Sequence, residues 1–249
     1  MHPVLFEIWH LKLYSFGLMV VLAFLGGGAL VTRELRRRSI APDHLEGYPM
    51  IGLVGGIVGA RLYYLGAHFD RLQADFFGSL FDGAGLTWYG GLIGGAIAVL
   101  FWARRKGQSL WSLCDAFAPG LAAAYGIGRI GCQLAGDGDY GPPSDLPWAM
   151  AYPKGVVPVF EACHPTPVYE VLMMAIVTFV LWKMRLRATA AGWLFGLYLV
   201  LAGAERWVSE IFRIRLEKTL GMSVAQWLSI AAVSIGVALL WRRGRRDPA

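Results

Sequence analysis

"LYSFGLMVVLAFLGGGALVTRELRRR", residues 13–38, decides how the rest of the chain is read. Residues 13–32 are almost wholly apolar, and an α-helix needs roughly 20 such residues to cross a bilayer. Similar runs follow near 47–66, 87–103, 111–128, 168–184, 191–208 and 222–241, so the pattern predicts about seven transmembrane helices. The run at 111–128 is the weakest, because it contains Asp115 and Pro119. The composition agrees. Of 249 residues, 56% are hydrophobic and only 16% charged, whereas soluble domains carry about 25% charged residues.

The basic end of the quoted stretch, Arg33 to Arg38, supplies a direction. "RRK" (104–106) follows the third apolar run. Lys183, Arg185 and Arg187 follow the fifth, and "RRGRR" (242–246) follows the seventh. More than half of the 23 Lys and Arg therefore sit in alternate connections. The positive-inside rule places those connections in the cytoplasm, with the N-terminus outside and the C-terminus inside, which requires an odd number of spans. The net charge of +6 is then a matter of topology and does not call for nucleic acid. Residues 1–12 lack a basic n-region and a small-residue cleavage site, so the first run is expected to remain as an anchor. The expected architecture is an all-α polytopic membrane protein, one integral membrane domain over 1–249. Its longest polar connection, 129–167, is rich in Gly and Pro and forms a small extracytoplasmic cap or flap.

Ionisable groups at membrane depth are expensive, roughly 2.5–3.5 kcal/mol for Arg or Asp at a helix centre. With this topology Arg61, Arg129, Glu170, Glu205, Arg206, Glu210 and Arg213 all reach the outer boundary, from different spans. A single Arg at a helix end reads as a snorkelling side chain. Arg206, Glu210 and Arg213 share one helical face and also read as a salt-bridged helix end. Several guanidiniums converging at headgroup level suit a phosphate, which Arg grips through a planar fork. "RIGCQLAGDGDYG" (129–141) adds glycine backbone and carboxylates beside Arg129; the same residues also read as a turn cluster closing a helix. "GGIVGA" (55–60) and "GGLIGG" (90–95) admit two readings, close helix packing or close approach of a lipid headgroup. The three cysteines, Cys114, Cys132 and Cys163, are too scattered for a metal site or a disulfide framework, although Cys132 and Cys163 both fall in the outer segment, where a disulfide would persist.

Seven stretches in order resemble the prolipoprotein diacylglyceryl transferase family: "GLM" (17–19), "GARLYY" (59–64), "YGGLIGG" (89–95), "GRIGCQLAGDGDYG" (128–141), "HPTPVYE" (164–170), "RWVSEIFR" (206–213) and "MSVAQWLS" (222–229). The likeness runs over nearly the whole length. Its departures are specific. Tyr89 stands where the family has a His before its Gly-Gly pair. Cys132 and Ala135 replace the two Asn of the signature, and Asp137 replaces its Glu, with one extra residue before Gly141. Phe16 replaces a Tyr, and the Pro that follows the family's last Arg-Glu pair is absent after Arg213.

The resemblance implies a multi-pass protein of the bacterial cytoplasmic (inner) membrane. Its reaction would move the diacylglyceryl group of phosphatidylglycerol to the lipobox Cys thiol of a prolipoprotein signal peptide, releasing glycerol-1-phosphate. No cofactor and no metal are implied. Arg129 and Arg213 are the expected phosphate clamp, supported by Arg206 and Glu210. Arg61, Gly90, Gly91, Gly131, Cys132, Gly136, Gly141, Tyr169 and Glu170 are the expected substrate-binding residues. For the base, Tyr89 holds the family's His position, with His164, Asp137 and Glu170 as alternatives, or the phosphate itself taking the thiol proton. Two other readings stay open: the same fold acting on another lipid or acceptor, and a non-catalytic transporter or lipid-binding protein.

Overall fold

A computed structural model describes residues 1–249 except 10, 41–46, 69–86, 188–189, 215–220 and 245–249. The described residues form two short antiparallel hairpins and seven α-helices. The hairpins are β1 (Val4–Ile8) with β2 (Leu11–Tyr14), and β3 (Met150–Tyr152) with β4 (Val159–Cys163). The helices are α1 (Ser15–Arg37), α2 (Gly47–Ala67), α3 (Trp88–Arg105), α4 (Leu110–Ala135), α5 (Thr166–Met184), α6 (Trp193–Ile211) and α7 (Val224–Gly244). Each expected apolar run lies on one of them. The hairpins modify the all-α expectation: the first precedes α1 and the second sits inside the expected cap.

Among the described residues, α1, α2, α5 and α7 are long and apolar enough to cross a membrane by length and composition. The other three fall short of that apolarity. Helix α4 holds Asp115, Pro119 and Arg129, and α6 holds Glu205, Arg206 and Glu210 in its last turns.

The chain divides into two compact units, residues 1–31 with 114–249 and residues 32–113. In the second unit α2 and α3 run antiparallel with almost no side chain between them. A Cβ on Gly59 would run into the Gly90 carbonyl oxygen, and one on Gly55 would lie 2.9 Å from that of Gly94. Both small-residue runs therefore face each other, as close helix packing requires.

In the first unit the glycine contacts fix helix directions. Gly27 of α1 meets Gly120 and Ala124 of α4, whereas Gly131, near the far end of α4, meets Phe16 and Met19 near the start of α1. Those two helices are antiparallel. Gly203 and Gly196 of α6 meet Val233 and Leu239 of α7, again antiparallel. Ala118 and Ala122 of α4 share a core with Met174, Val177 and Leu181 of α5 and Leu194 of α6. Helices α1, α5 and α7 thus run opposite to α4 and α6.

Asp115 explains the weakest apolar run. It is fully buried, and its carboxylate accepts hydrogen bonds from the backbone N–H of Gly192 at 2.9 Å and of Phe195 at 2.8 Å. These are orphan donors at the start of α6, where a negative charge is also favoured by the helix dipole. Gly192 itself has φ +93°, which a side chain would resist. The charge inside α4 is therefore a helix cap for α6.

Candidate active site

The last turns of α4, the first turns of α5 and the last turns of α6 meet at one end of the first unit. The residues that meet there are mostly charged. On α4, Tyr125, Arg129 and Cys132 lie at spacings that share a helical face. Glu170 comes from α5. Glu205, Arg206, Ser209 and Glu210 come from α6, and Arg213 lies just beyond its end.

Arg129 is held on several sides. Its Nε pairs with Glu170 Oε2 and its Nη1 with Asp139 Oδ2. Its Nη2 donates to the Tyr125 hydroxyl at 3.0 Å, and Nη1 also faces Cys132 Sγ at 3.6 Å. Tyr125 in turn donates to Glu170 Oε2 at 3.1 Å. Arg206 lies 3.5 Å from Glu170 Oε1, 2.7 Å from Glu210 Oε2 and 3.2 Å from Ser209 Oγ. Arg213 Nη2 pairs with Asp139 Oδ1. One carboxylate, that of Asp139, thus joins Arg129 to Arg213. Burial, and the Arg129 guanidinium facing it, push the Arg213 pKa below its ordinary value, because neighbouring cations in a poorly hydrated place repel.

The loop after α4 is built to deliver Asp139. Gly136 and Gly138 have φ of +63° and +96°, a region that favours glycine. A Cβ on Gly141 would run into the Phe212 carbonyl oxygen, so only glycine lets the loop pass the end of α6. Thr166 Oγ1 donates to that same carbonyl at 3.2 Å. Arg213 is therefore anchored through its neighbour by both the loop and the start of α5. Asp137 accepts a hydrogen bond from the Asp139 backbone N–H at 3.4 Å and one from the Cys132 thiol.

The cap has its own small core of Tyr140, Tyr152 and Cys163. Burial pushes the Tyr152 phenol up to about 12 and raises the Cys163 thiol. Cys132 and Cys163 are both free thiols. Trp148 Nε1 donates to the Tyr169 hydroxyl at 2.9 Å, and that hydroxyl lies 3.2 Å from His164 Nδ1.

The expected residues fall into two groups. Arg129, Cys132, Asp137, Glu170, Arg206, Glu210 and Arg213 come together, with Gly131, Gly136, Gly141, His164 and Tyr169 in the elements around them. Gly131 packs against α1. Arg61, Tyr89, Gly90 and Gly91 belong to the other unit. Arg61 lies 5.5 Å from the centroid of the Tyr64 ring, and Gly90 and Gly91 face α2. Tyr89 sits in the first turn of α3, and its side chain lies outside the described residues.

Sequence reasoning missed Tyr125 and Asp139 as site residues. The signal for Tyr125 was its i,i+4 spacing to Arg129. Asp139 lies between Asp137, which motif matching selects, and Gly141, in a stretch one residue longer than the signature. Among the described residues Cys132, Asp137 and Asp139 place ligand atoms within 4.8 Å of one another, near enough to share a metal ion. Both oxygens of Asp139, however, already face guanidiniums.

Comparison with known proteins gives a consistent result. The model of one family, described as prolipoprotein diacylglyceryl transferase, matches residues 3–242. A phosphatidylglycerol–prolipoprotein diacylglyceryl transferase of Clostridium tetani is 32% identical over 242 residues, covering 95% of this chain and 96% of its own. The enzyme of the same name from Chromohalobacter salexigens is 34% identical over 257 residues, covering 99% of this chain and 93% of its own. That from Aromatoleum aromaticum is 31% identical over 263 residues.

Proposed function

The chain belongs to the prolipoprotein diacylglyceryl transferase family, and from that premise we propose that it transfers the diacylglyceryl group of phosphatidylglycerol to the lipobox Cys thiol of a prolipoprotein, releasing glycerol-1-phosphate. It is a transferase of lipoprotein biosynthesis. The observation that carries the reaction is the meeting of Arg129 and Arg213 on one anion.

The chemistry asks for two things. The thiol sulfur forms a bond to the terminal glyceryl carbon of the diacylglyceryl group as the C–O bond to phosphorus breaks. The departing phosphate gains charge, and preorganised guanidiniums stabilise that gain more than they stabilise the ground state. Arg129 and Arg213 are the clamp. Glu170, Glu210 and Ser209 position Arg129 and Arg206 behind it. The thiol must also lose its proton, since the thiolate is the nucleophile. Asp137 is the acceptor that this geometry favours: it makes no ion pair among the described residues and already takes a hydrogen bond from a thiol, that of Cys132. His164 has its Nδ1 occupied by Tyr169, and Tyr89 is the alternative at the family's histidine position.

The same reading places seven spans in the bacterial inner membrane, with the N-terminus outside, the C-terminus inside and the 129–167 cap outside. Alternating helix directions in the first unit support it, as do the basic ends of α5 and α7, which lie opposite the charged cluster.

The test uses the purified full chain in detergent with phosphatidylglycerol and a lipobox peptide, followed by mass spectrometry of the peptide thiol. The expected product carries a diacylglyceryl thioether, and Arg129→Ala and Arg213→Ala abolish it. Full activity in both variants defeats the clamp. Cys132, Ala135 and Asp137 in the signature favour one second reading, a transferase of this fold with another acceptor. Phosphatidylglycerol consumption without modification of the lipobox peptide would select it.

A further inference from the structure

Arg129 has two carboxylate partners of different character. Glu170 is 1% exposed at its side chain and fixed on α5, whereas Asp139 is 33% exposed and lies on a glycine-flanked loop. Among the described residues Asp139 is also the ion-pair partner of Arg213. The position between the two guanidiniums is therefore filled, and it is filled by an anion more accessible than Glu170, Glu205 or Glu210. A carboxylate and a phosphodiester each carry one negative charge and present two oxygens to such a pair of forks. A second anion added beside Asp139 would meet like charge in a partly desolvated place.

We infer that Asp139 is an internal stand-in for the substrate anion, and that a phosphate group enters the site by replacing its carboxylate between Arg129 and Arg213. The inference rests on the clamp proposed above and adds an exchange to it. The empty site keeps its cations neutralised and in place. Phosphate arrival releases Asp139 on its loop, and the carboxylate's return helps the phosphate product leave. Glu170 keeps its hold on Arg129 throughout, so the clamp does not collapse during the exchange.

The experiment measures binding without an acceptor peptide. Wild-type chain, Asp139→Asn, Asp139→Ala and Asp139→Glu are purified in detergent and titrated by calorimetry with inorganic phosphate. They are also placed in phosphatidylcholine nanodiscs with and without phosphatidylglycerol. Removing the competing charge is expected to tighten phosphate binding roughly tenfold in the Asn and Ala variants, the size of one charge-assisted hydrogen bond. The Glu variant stays near wild type. In turnover assays Asp139→Asn lowers KM for phosphatidylglycerol more than it changes kcat. Tightening for inorganic phosphate but not for the lipid keeps the exchange and assigns the anion to a free phosphate. Unchanged or weaker binding of both probes in both neutral variants overturns it, since Asp139 would then be holding the arginines in shape.

Should those variants fail to fold, infrared difference spectra of wild-type protein with 13C-labelled aspartate decide the matter. Saturating phosphate is expected to shift a guanidinium-paired carboxylate band, and an unmoved band overturns the exchange. Tighter phosphate binding with no peptide modified would sink the transferase reaction and leave the exchange standing.

Discussion

Glu170 receives contacts from two other helices, from Tyr125 and Arg129 of α4 and from Arg206 of α6. Its side chain is 1% exposed, so the carboxylate cannot turn to water if a partner is removed. Breaking such a buried pair from one side costs about 3–5 kcal/mol. Glu170→Ala is therefore expected to lower thermal stability in detergent by that order and to abolish transfer. Glu170→Gln, which retains an acceptor for Tyr125, keeps more of the stability than of the activity. Equal losses in the two variants would show that the carboxylate only fills space. A contrasting residue is Cys163. Its thiol is 1% exposed and pushed up by burial, and the reactive form is the thiolate. At pH 8 it should resist maleimide while the protein is folded and react after denaturation, read by peptide mass spectrometry.

At the scale of elements, two ends of α4 perform two separate tasks. Asp115 and Arg129 are about 21 Å apart along a helix rising 1.5 Å per residue. Asp115 satisfies backbone N–H groups at the start of α6, whereas Arg129 works at the other end. Asp115→Ala leaves those buried donors without an acceptor, a loss of about 2 kcal/mol or more. The folded fraction should still bind phosphatidylglycerol in nanodiscs with wild-type affinity. Weakened binding would mean that α6 transmits the loss to Arg206 and Arg213. Gly141→Ala is the reverse case: its Cβ would strike the Phe212 carbonyl, so the end of α6 must move and activity should fall further than stability.

Helix positions were legible because lipid imposes length and apolarity on each segment. The expected runs and the observed helices agree to within a few residues at most ends. The larger gap, at the end of α4, arises because Arg129 looked like a terminus. It is in fact interior, neutralised by Glu170 from the next helix and by Asp139 beyond the helix end. Asp139 was not legible as a bridge, since partners from separate elements meet only through tertiary structure. Arg129 and Arg213 could be paired beforehand because topology alone brought both to one boundary.

For the whole molecule, charge gives the argument for which end faces which compartment. Helices α5 and α7 end in Lys183 and in Arg242 and Arg243, at the end of the first unit opposite Arg129 and Glu170. Basic residues are retained on the cytoplasmic side, so the proposed topology sets the charged cluster and the β3–β4 cap outside, on the side where the proposed peptide substrate would arrive. Two exposed positions report on this: Lys154 in the cap and Arg187 after α5. In a background with Cys114, Cys132 and Cys163 replaced by Ser, a membrane-impermeant maleimide should label Lys154→Cys in intact spheroplasts. It should label Arg187→Cys only after the membrane is opened. The opposite pattern would turn the cluster towards the cytoplasm and remove its access to an exported thiol, whatever the quality of the clamp.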